Sequence, residues 1–483
     1  MKKLTSLLVI TLICIFALSG QVAAVDFSQE LYEELSQNKN EIPYIEIPDL
    51  QKLELDNGLT VYLMKNKRLP VVEVTGYIKG GISQETEEKA GISQFMTSMM
   101  NTGTSNYSEQ EFARFKELHG LSLNLDVSRD YLSISGNALI TDQAELIELL
   151  AEVLREPNFD AEYYSRIQQE LYRGLAQART RQNSLLDMHF YRRVYGDHPY
   201  SHPDNLDLRM KVLQGLTPGD LEQYYQETIG PEHTVLGFAG DFDPAKMAEV
   251  IKKELGSWEA QGNELRQPEL ETEPRETDRV ILVDKKDATQ AQIKMGYRFK
   301  GADFEDRTAF MMGNMVFGGD YFSRLMENLR SQKGYVYGIY ARESYNLLGG
   351  SYYIKTEVEP EKSPEAVKAI KQEMQAIKQG TEPITEEELS KNINLYNGLF
   401  PENYQTRIRV LDRVIYHCEL LDRSQDYINQ FIQEYNQLEP AEVQRVFADN
   451  AYPGELTTVI VGNKDDVLPA FKEKGIEVEV IKD

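Results

Sequence analysis

Cysteine, tryptophan and histidine are all scarce in this chain. Of its 483 residues, two are cysteine, one is tryptophan and six are histidine. Cys14 lies in the first apolar run and Cys418 stands alone in the rest, so removal of that run leaves no partner for an internal disulfide, and packing must hold the fold. Cys418 sits beside His417 in the amphipathic stretch Val410 to Leu421, a setting for a core residue rather than a reactive thiolate. Of the histidines, only His198 and His202 are close. Their spacing of four suits a metal on a helix, but Pro199 and Pro203 favour a loop and no cysteine or carboxylate pattern completes a site. No G-x-S-x-G elbow and no P-loop occur, which removes the common serine-hydrolase and nucleotide signatures. Cations are also in deficit: 52 Lys and Arg against 78 Asp and Glu give a formal charge of −26, excluding nucleic acid and anionic membrane as partners. Such an acidic surface serves solubility, a salty habitat or a preference for basic peptides.

What is present begins with MKKLTSLLVITLICIFALSGQVAA. A basic start at Lys2 and Lys3, an apolar run from about Leu7 to Leu18 and a small-residue exit at Val22-Ala23-Ala24 predict a signal peptide at 1–24, cleaved after Ala24. The alternative is an uncleaved anchor. No later stretch approaches the length of a membrane span, so the expected mature chain is exported, periplasmic or extracellular, and not inserted in the membrane.

The length predicts two to four domains at roughly 100 to 200 residues each. Internal similarity narrows that to a duplication. LTPGDLEQYYQETIGPEHTVLGFAGDFD from Leu216 lies over LEPAEVQRVFADNAYPGELTTVIVGNKD from Leu438 without a gap, matching Leu216/Leu438, Pro218/Pro440, Pro231/Pro453 and Gly240/Gly462. Each copy predicts a helix opened by proline, a turn at the second proline, then an apolar strand (Thr234 to Ala239; Thr457 to Val461). Val74-Thr75-Gly76-Tyr77 and Lys294-Met295-Gly296-Tyr297 pair at nearly the same offset, so the repeat spans whole domains. Strands from Leu50 to Lys79 with a turn at Asp56-Asn57-Gly58, a helix, a strand over Tyr131 to Leu139 and helices from Asp142 to about Arg179 predict an α+β sandwich. The expected organisation is an N-terminal domain at 25–258, a charged linker at 259–278 carrying Pro268 and Pro274, and a C-terminal domain at 279–483, two similar halves able to close like a clam-shell.

The segment GISQFMTSMMNTGT places Ile92, Phe95, Met96, Met99 and Met100 on one helix face. Its polar flank, Gln94, Thr97 and Ser98, stands at the spacings where a metallopeptidase helix carries ligands and a base. With the duplicated architecture, this segment resembles the zinc-helix region of the pitrilysin, insulysin and mitochondrial processing peptidase family, whose inverted motif is H-x-x-E-H. The frame fits at Gly91, Phe95, Met99, Gly103 and Thr104, while Gln94 and Ser98 replace the histidines and Thr97 the glutamate. A carboxamide and a hydroxyl at those positions cannot hold zinc at useful affinity, and Thr97 cannot accept a proton as a base. Glu170, near the family's third ligand position, becomes a vestige.

The resemblance covers about Ile47 to Ile481 and implies the LuxS/metallohydrolase-like fold, with helices on a mainly antiparallel sheet in each half. Gly318-Gly319-Asp320-Tyr321-Phe322-Ser323-Arg324-Leu325 with Leu329 to Tyr337 resembles the segment bearing the family's arginine and tyrosine pair, which falls here on Arg330 and Tyr337. By the same resemblance these residues bind substrate backbone, Arg330 as a fork of donors and Tyr337 as a hydroxyl, and Gly318 and Gly319 occupy the place of a glycine-rich substrate loop in shortened form. The chain is thus expected to be a non-catalytic, substrate-binding subunit with no cofactor of its own, paired with a zinc-bearing homologous subunit that acts on unfolded peptides added to a sheet edge. The alternatives are a peptide-binding or structural homodimer, as in scaffold subunits of respiratory complexes, and hydrolysis by a relocated metal at His198 and His202.

Overall fold

The computed structural model describes residues 41–270 and 279–482. The expected signal peptide and the end of the expected linker lie outside them. The first half contains β1 (Gln51–Glu54), β2 (Thr60–Lys65), β3 (Val71–Lys79), α1 (Ile92–Met100), α2 (Glu109–Leu118), β4 (Ser122–Val127), β5 (Tyr131–Leu139), α3 (Gln143–Arg155), α4 (Ala161–Arg179), α5 (Gln182–Tyr195), α6 (Leu206–Gly215), α7 (Pro218–Thr228), β6 (Thr234–Gly240) and α8 (Pro244–Leu255). The second contains β7 (Val280–Asp284), β8 (Ala291–Phe299), α9 (Arg307–Asn314), β9 (Val336–Asn346), β10 (Gly349–Val358), α10 (Ser363–Gln379), α11 (Glu386–Leu399), α12 (Arg407–Ile415), α13 (Tyr427–Asn436), α14 (Pro440–Asn450), β11 (Thr457–Gly462), α15 (Lys464–Glu473) and β12 (Val478–Lys482).

The predicted duplication is visible in the sheets. Their orders are β1-β2-β6-β3-β5-β4 and β12-β7-β11-β8-β10-β9, so five strands correspond in sequence and only the first of each list differs. β2 with β6 and β7 with β11 are parallel, and β12 also joins β7 in parallel. The remaining pairs are antiparallel, a mainly antiparallel sheet in each half. Pro218 and Pro440 open α7 and α14 at the first position, where a missing N–H costs nothing. The edge strand β4 was not among the strands expected. It alternates exposed Ser122, Asn124 and Asp126 with buried Leu123 and Leu125, the pattern of a strand wetted on one face.

The inner strands of each sheet are apolar on both faces, and their own half covers only one. The other face is covered by a helix from the opposite half: α5 lies on β8 and β11, and α12 lies on β3 and β6. The cores record this exchange, since Tyr62, Tyr77, Val235 and Ala239 of the first sheet pack into the second core, while Ile281, Val283, Val459 and Val461 pack into the first. The approach of α12 is close enough that a Cβ at Gly237 would collide with Ile415.

Each exchanged helix brings one aspartate to the facing sheet. Asp412 of α12 accepts from the Thr75 hydroxyl at 2.6 Å and the Tyr77 hydroxyl at 2.7 Å. Asp187 of α5 accepts from Lys294 Nζ at 2.8 Å, and that ammonium also lies 4.0 Å from the ring centroids of Tyr191 and Tyr353. Lys294 is 2% exposed, so its charge depends on these partners. Gln182 adds amide bonds to the Gln290 and Val461 carbonyls.

Two further segments tie the halves. Near the start of the described chain, Ile45 exchanges paired backbone bonds with the Asn429 carboxamide of α13, at 2.9 and 3.0 Å. The described part of the linker lies on the first half, where Arg266 donates its N–H to Gln84 Oε1 at 2.6 Å and Nη1 to the Glu85 carbonyl at 2.8 Å. Among the described residues no helix is long and apolar enough to cross a membrane.

The Lys294 setting yields a prediction. Asp187→Ala leaves a buried cation without its carboxylate and is expected to lower unfolding free energy by about 2 to 3 kcal/mol, less than for a wholly buried pair because Asp187 is partly solvated. Adding Lys294→Met removes the stranded charge and is expected to restore most of the loss, measured as the urea midpoint of single and double variants.

Candidate functional site

α1 forms because its apolar stripe is wholly buried: Ile92, Phe95, Met96, Met99 and Met100 are each 0% exposed. Phe95 meets Tyr164 of α4 with ring centroids 4.7 Å apart. The helix starts from Gly91 at φ 89°, a left-handed conformation that glycine adopts without strain. Glu85, 1% exposed, supplies the cap that Gly91 cannot. Its carboxylate accepts from the N–H of Gly91 at 2.9 Å, from the N–H and hydroxyl of Ser93, and faces His202 Nδ1 at 3.2 Å. An anion at a helix N-terminus is favoured by the unpaired N–H groups and the dipole there.

The polar flank of α1 is turned inward on itself or onto cations. Thr97 donates its hydroxyl to the Ser93 carbonyl at 2.7 Å, and Ser98 to the Gln94 carbonyl at 2.8 Å. Gln94 Oε1 accepts from Arg209 Nη2. Burial draws the Arg209 guanidinium pKa down, opposed by the Glu85 and Asp204 carboxylates. Glu170 of α4 is bound by Arg166 Nη1 at 3.0 Å, while Arg166 Nη2 holds both carboxylate oxygens of Glu109 at 2.7 Å. Guanidinium groups therefore engage Gln94 and Glu170, two of the three positions where the family places zinc ligands, and the donor set of carboxamide and hydroxyls does not fit the metal. Among the described residues, His119, Asp142 and Glu145 bring possible ligand atoms within 4.8 Å of one another, at the end of α2 and the start of α3 rather than on α1.

The two close histidines do not face a common metal. They sit in a 3₁₀ turn, Pro199–Asp204, preceded by His198, rather than in an open loop. His198 Nδ1 accepts from the Tyr200 N–H at 3.2 Å and its Nε2 faces the Pro268 carbonyl at 3.4 Å, so the ring fastens turn to linker. His202 serves Glu85 instead. Burial pulls the His198 pKa down to about 4, with Pro268 opposing.

In the second half the sequence-expected pair is brought together. The Arg330 guanidinium lies 5.3 Å from the Tyr337 ring centroid and 5.0 Å from that of Tyr321, a flanking ring that the sequence reading did not single out. Tyr337 is 88% exposed and Tyr321 57%, so the cation is presented between two accessible hydroxyl-bearing rings. Ion pairs from α11 fix the segment from beneath. Arg324 meets Glu388 through Nε to Oε1 at 2.6 Å and Nη2 to Oε2 at 2.8 Å. Lys391, 1% exposed, donates Nζ to the Phe322 carbonyl at 3.0 Å and faces Asp320 at 4.0 Å. Burial pushes the Asp320 carboxyl up, with Lys391 opposing, and pushes the Lys391 ammonium down, with Asp320 opposing.

Gly318 is buried against Leu325 and Ala341, where a side chain has no room. The Gly319 carbonyl accepts from Arg342 at 2.7 Å. Asn101, just past α1, is a further residue without a sequence signal. Its carboxamide donates to the Leu125 carbonyl at 2.7 Å and accepts the Leu125 N–H at 2.9 Å, closing β4's outward backbone pair at that residue.

Comparison with known proteins agrees with this frame. Residues 60–203 match the model of insulinase (peptidase family M16), and residues 215–396 that of the peptidase M16 inactive domain. A Helicobacter pylori protein described as non-peptidase homolog YmxG is 26% identical over 424 residues, 83% of this chain and 91% of that one. The uncharacterized zinc protease YmxG of Bacillus subtilis is 25% identical over 297 residues, covering 61% and 70%. A peptidase M16 inactive domain from Pseudomonas fluorescens has the same fold at TM-score 0.76 and 19% identity, covering 86% of this chain and 98% of that one. A protease from Helicobacter pylori also superposes at 0.76, with 20% identity and 86% and 100% coverage.

Two outcomes follow. Gln94→His, Thr97→Glu and Ser98→His restore the ligand types but leave Arg209 beside them; adding Arg209→Ser is expected to raise zinc affinity at least about tenfold in a chelator competition. Equal affinity with and without it means that Arg209 does not oppose the metal. His198 has a folded pKa below its ordinary 6.5, so protonation favours the unfolded chain. Its contribution is complete above pH 6.5 and is lost as pH falls toward about 4, so His198→Gln is expected to flatten the stability profile in that window by about 2 kcal/mol relative to the parent.

Proposed function

The chain belongs to peptidase family M16, and from that membership we propose that it is the non-catalytic, substrate-holding subunit of a two-chain zinc peptidase acting on unfolded peptides outside the cytoplasm. The observation that carries this reading is the contrast between its two halves. Where the family's zinc helix needs imidazoles and a carboxylate, α1 offers Gln94, Thr97 and Ser98 and engages Arg209. Where the family holds substrate, Arg330 stands between exposed Tyr321 and Tyr337 on a base braced by Glu388 and Lys391.

In this reading the chain binds and orients while a zinc-bearing homologous subunit cuts. Arg330 donates to peptide carbonyl oxygens, and the Tyr337 hydroxyl donates to the carbonyl nearest the cleaved bond. Tyr321 limits the directions in which the guanidinium can swing, which lowers the ordering cost of binding. Gly318 supports the segment by close packing, and Gly319 holds Arg342. The peptide runs as an added strand along β9, the sheet edge that contains Tyr337, since Asn101 already takes the Leu125 pairing site on β4. The export in this reading rests on the signal peptide expected at 1–24.

The alternative is a homodimer that binds peptides without cutting. Co-expression with a zinc-bearing M16 chain separates the two. The first expects a stable mixed complex in which Arg330→Ala with Tyr337→Phe lowers peptide cleavage by about 10²-fold or more while leaving complex yield unchanged. Unchanged cleavage in that variant, or a homodimer with no mixed complex, sinks it.

A further inference from the structure

A cavity of about 250 Å³ opens on the seam between the halves, away from Arg330 and from α1, and four arginines line it: Arg192, Arg193, Arg279 and Arg298. Two carboxylates, Glu455 and Glu479, share the lining, so the cavity keeps an excess of positive charge in a chain of formal charge −26. Arg192 and Arg193 come from the last turn of α5 in the first half; Arg279 precedes β7, and Arg298 lies in β8 of the second.

The guanidinium groups divide into anchored and open members. Arg298, 4% exposed, donates Nε to the Val194 carbonyl, and Arg193 donates Nη1 to the His189 carbonyl at 2.9 Å, so both forks are held in place. Arg192 and Arg279 are exposed, and their side chains make no hydrogen bond or ion pair among the described residues. A structural explanation accounts for half of the set: cations in the last turn of α5 offset the negative end of its dipole. It extends to Arg298, whose Nε bonds the Val194 carbonyl in that same turn, but not to Arg279, which reaches the cavity from the second half. Glu455 and Glu479 offset part of this charge, and the excess of positive charge that remains is relieved when a further anion joins the four arginines.

We infer that this seam cavity is a binding site for a small multivalent oxyanion, bearing phosphate or carboxylate groups, that bridges the two halves. Planar guanidinium forks present paired donors matched to such oxygens and do not lose their charge near neutral pH. The volume lies below the roughly 300 to 1,000 Å³ of typical pockets for larger organic ligands, which suits an anion of pyrophosphate or citrate size. Because each half contributes two arginines, the occupant stabilises the exchanged-helix arrangement itself, and thermal stability rises with its concentration.

The test uses the full chain, with pyrophosphate and citrate titrated separately against sodium chloride of matched ionic strength, read by calorimetry and by the thermal midpoint. Saturable binding of either anion with a higher midpoint is expected, and which binds tighter identifies the phosphate or the carboxylate source. Arg192→Ala and Arg279→Ala, both at exposed positions, are each expected to weaken binding about tenfold or more, with Arg279→Lys retaining part of it. Glu455→Gln is expected to tighten binding. A midpoint shift no larger than chloride gives, or equal affinity in parent and both alanine variants, overturns the proposal.

Discussion

A mixed sheet that is apolar on both faces must be covered twice, and in this chain neither half has the means to do so alone. α5 and α12 meet that requirement by crossing to the opposite half. Everything else about the molecule is arranged around the exchange. Glycine at 237 allows the helix to approach, and Asp187 and Asp412 satisfy the polar groups that the facing sheets would otherwise bury unpaired. The seam cavity exists because the end of α5 is carried onto the other half's strands. The halves are accordingly two copies of one topology but a single cooperative body, in which loosening one uncovers the sheet of the other.

That constraint explains why α1 survives intact after its chemistry is gone. Its apolar stripe is a wall of the first core and its start is fastened by a buried carboxylate, so replacing the stripe would cost stability by cavity formation. The solvent side carries no such obligation. Exchange of imidazole for carboxamide or hydroxyl there changes reactivity and little else, and arginine can take up the electrostatic position once a divalent cation is not held. Selection can therefore change those positions while keeping the helix, and the segment around Arg330, fixed by contacts from α11, is independent of that change.

Local chemistry was legible in the sequence and long-range chemistry was not. Prolines at helix starts, the turn at Asp56-Asn57-Gly58 and the register of the two copies correctly announced a duplicated α+β architecture, because each rests on residues close along the chain. The strand β4 has an alternating pattern and could have been found from Leu123 and Leu125. The exchange of α5 and α12 could not, since an amphipathic helix does not say which half's sheet it will cover. Tyr321 beside Arg330, Asn101 on Leu125 and the arginine seam belong to the same class. Each joins residues that are ordinary in their own segment and acquire meaning only from what the fold sets next to them.

The bond between Ile45 and Asn429 gives that lesson a kinetic form. A chain made from its N-terminus presents Ile45 some 384 residues before its partner exists, and β11, one of the two strands that α5 covers, is made almost as late. The first half can pack its own helices on one face of its sheet, but the face that α12 covers stays open while the second half is still being made. Contacts of such long sequence separation slow folding, and the same contacts that tie the finished halves together leave one face of each growing sheet uncovered until the last elements arrive.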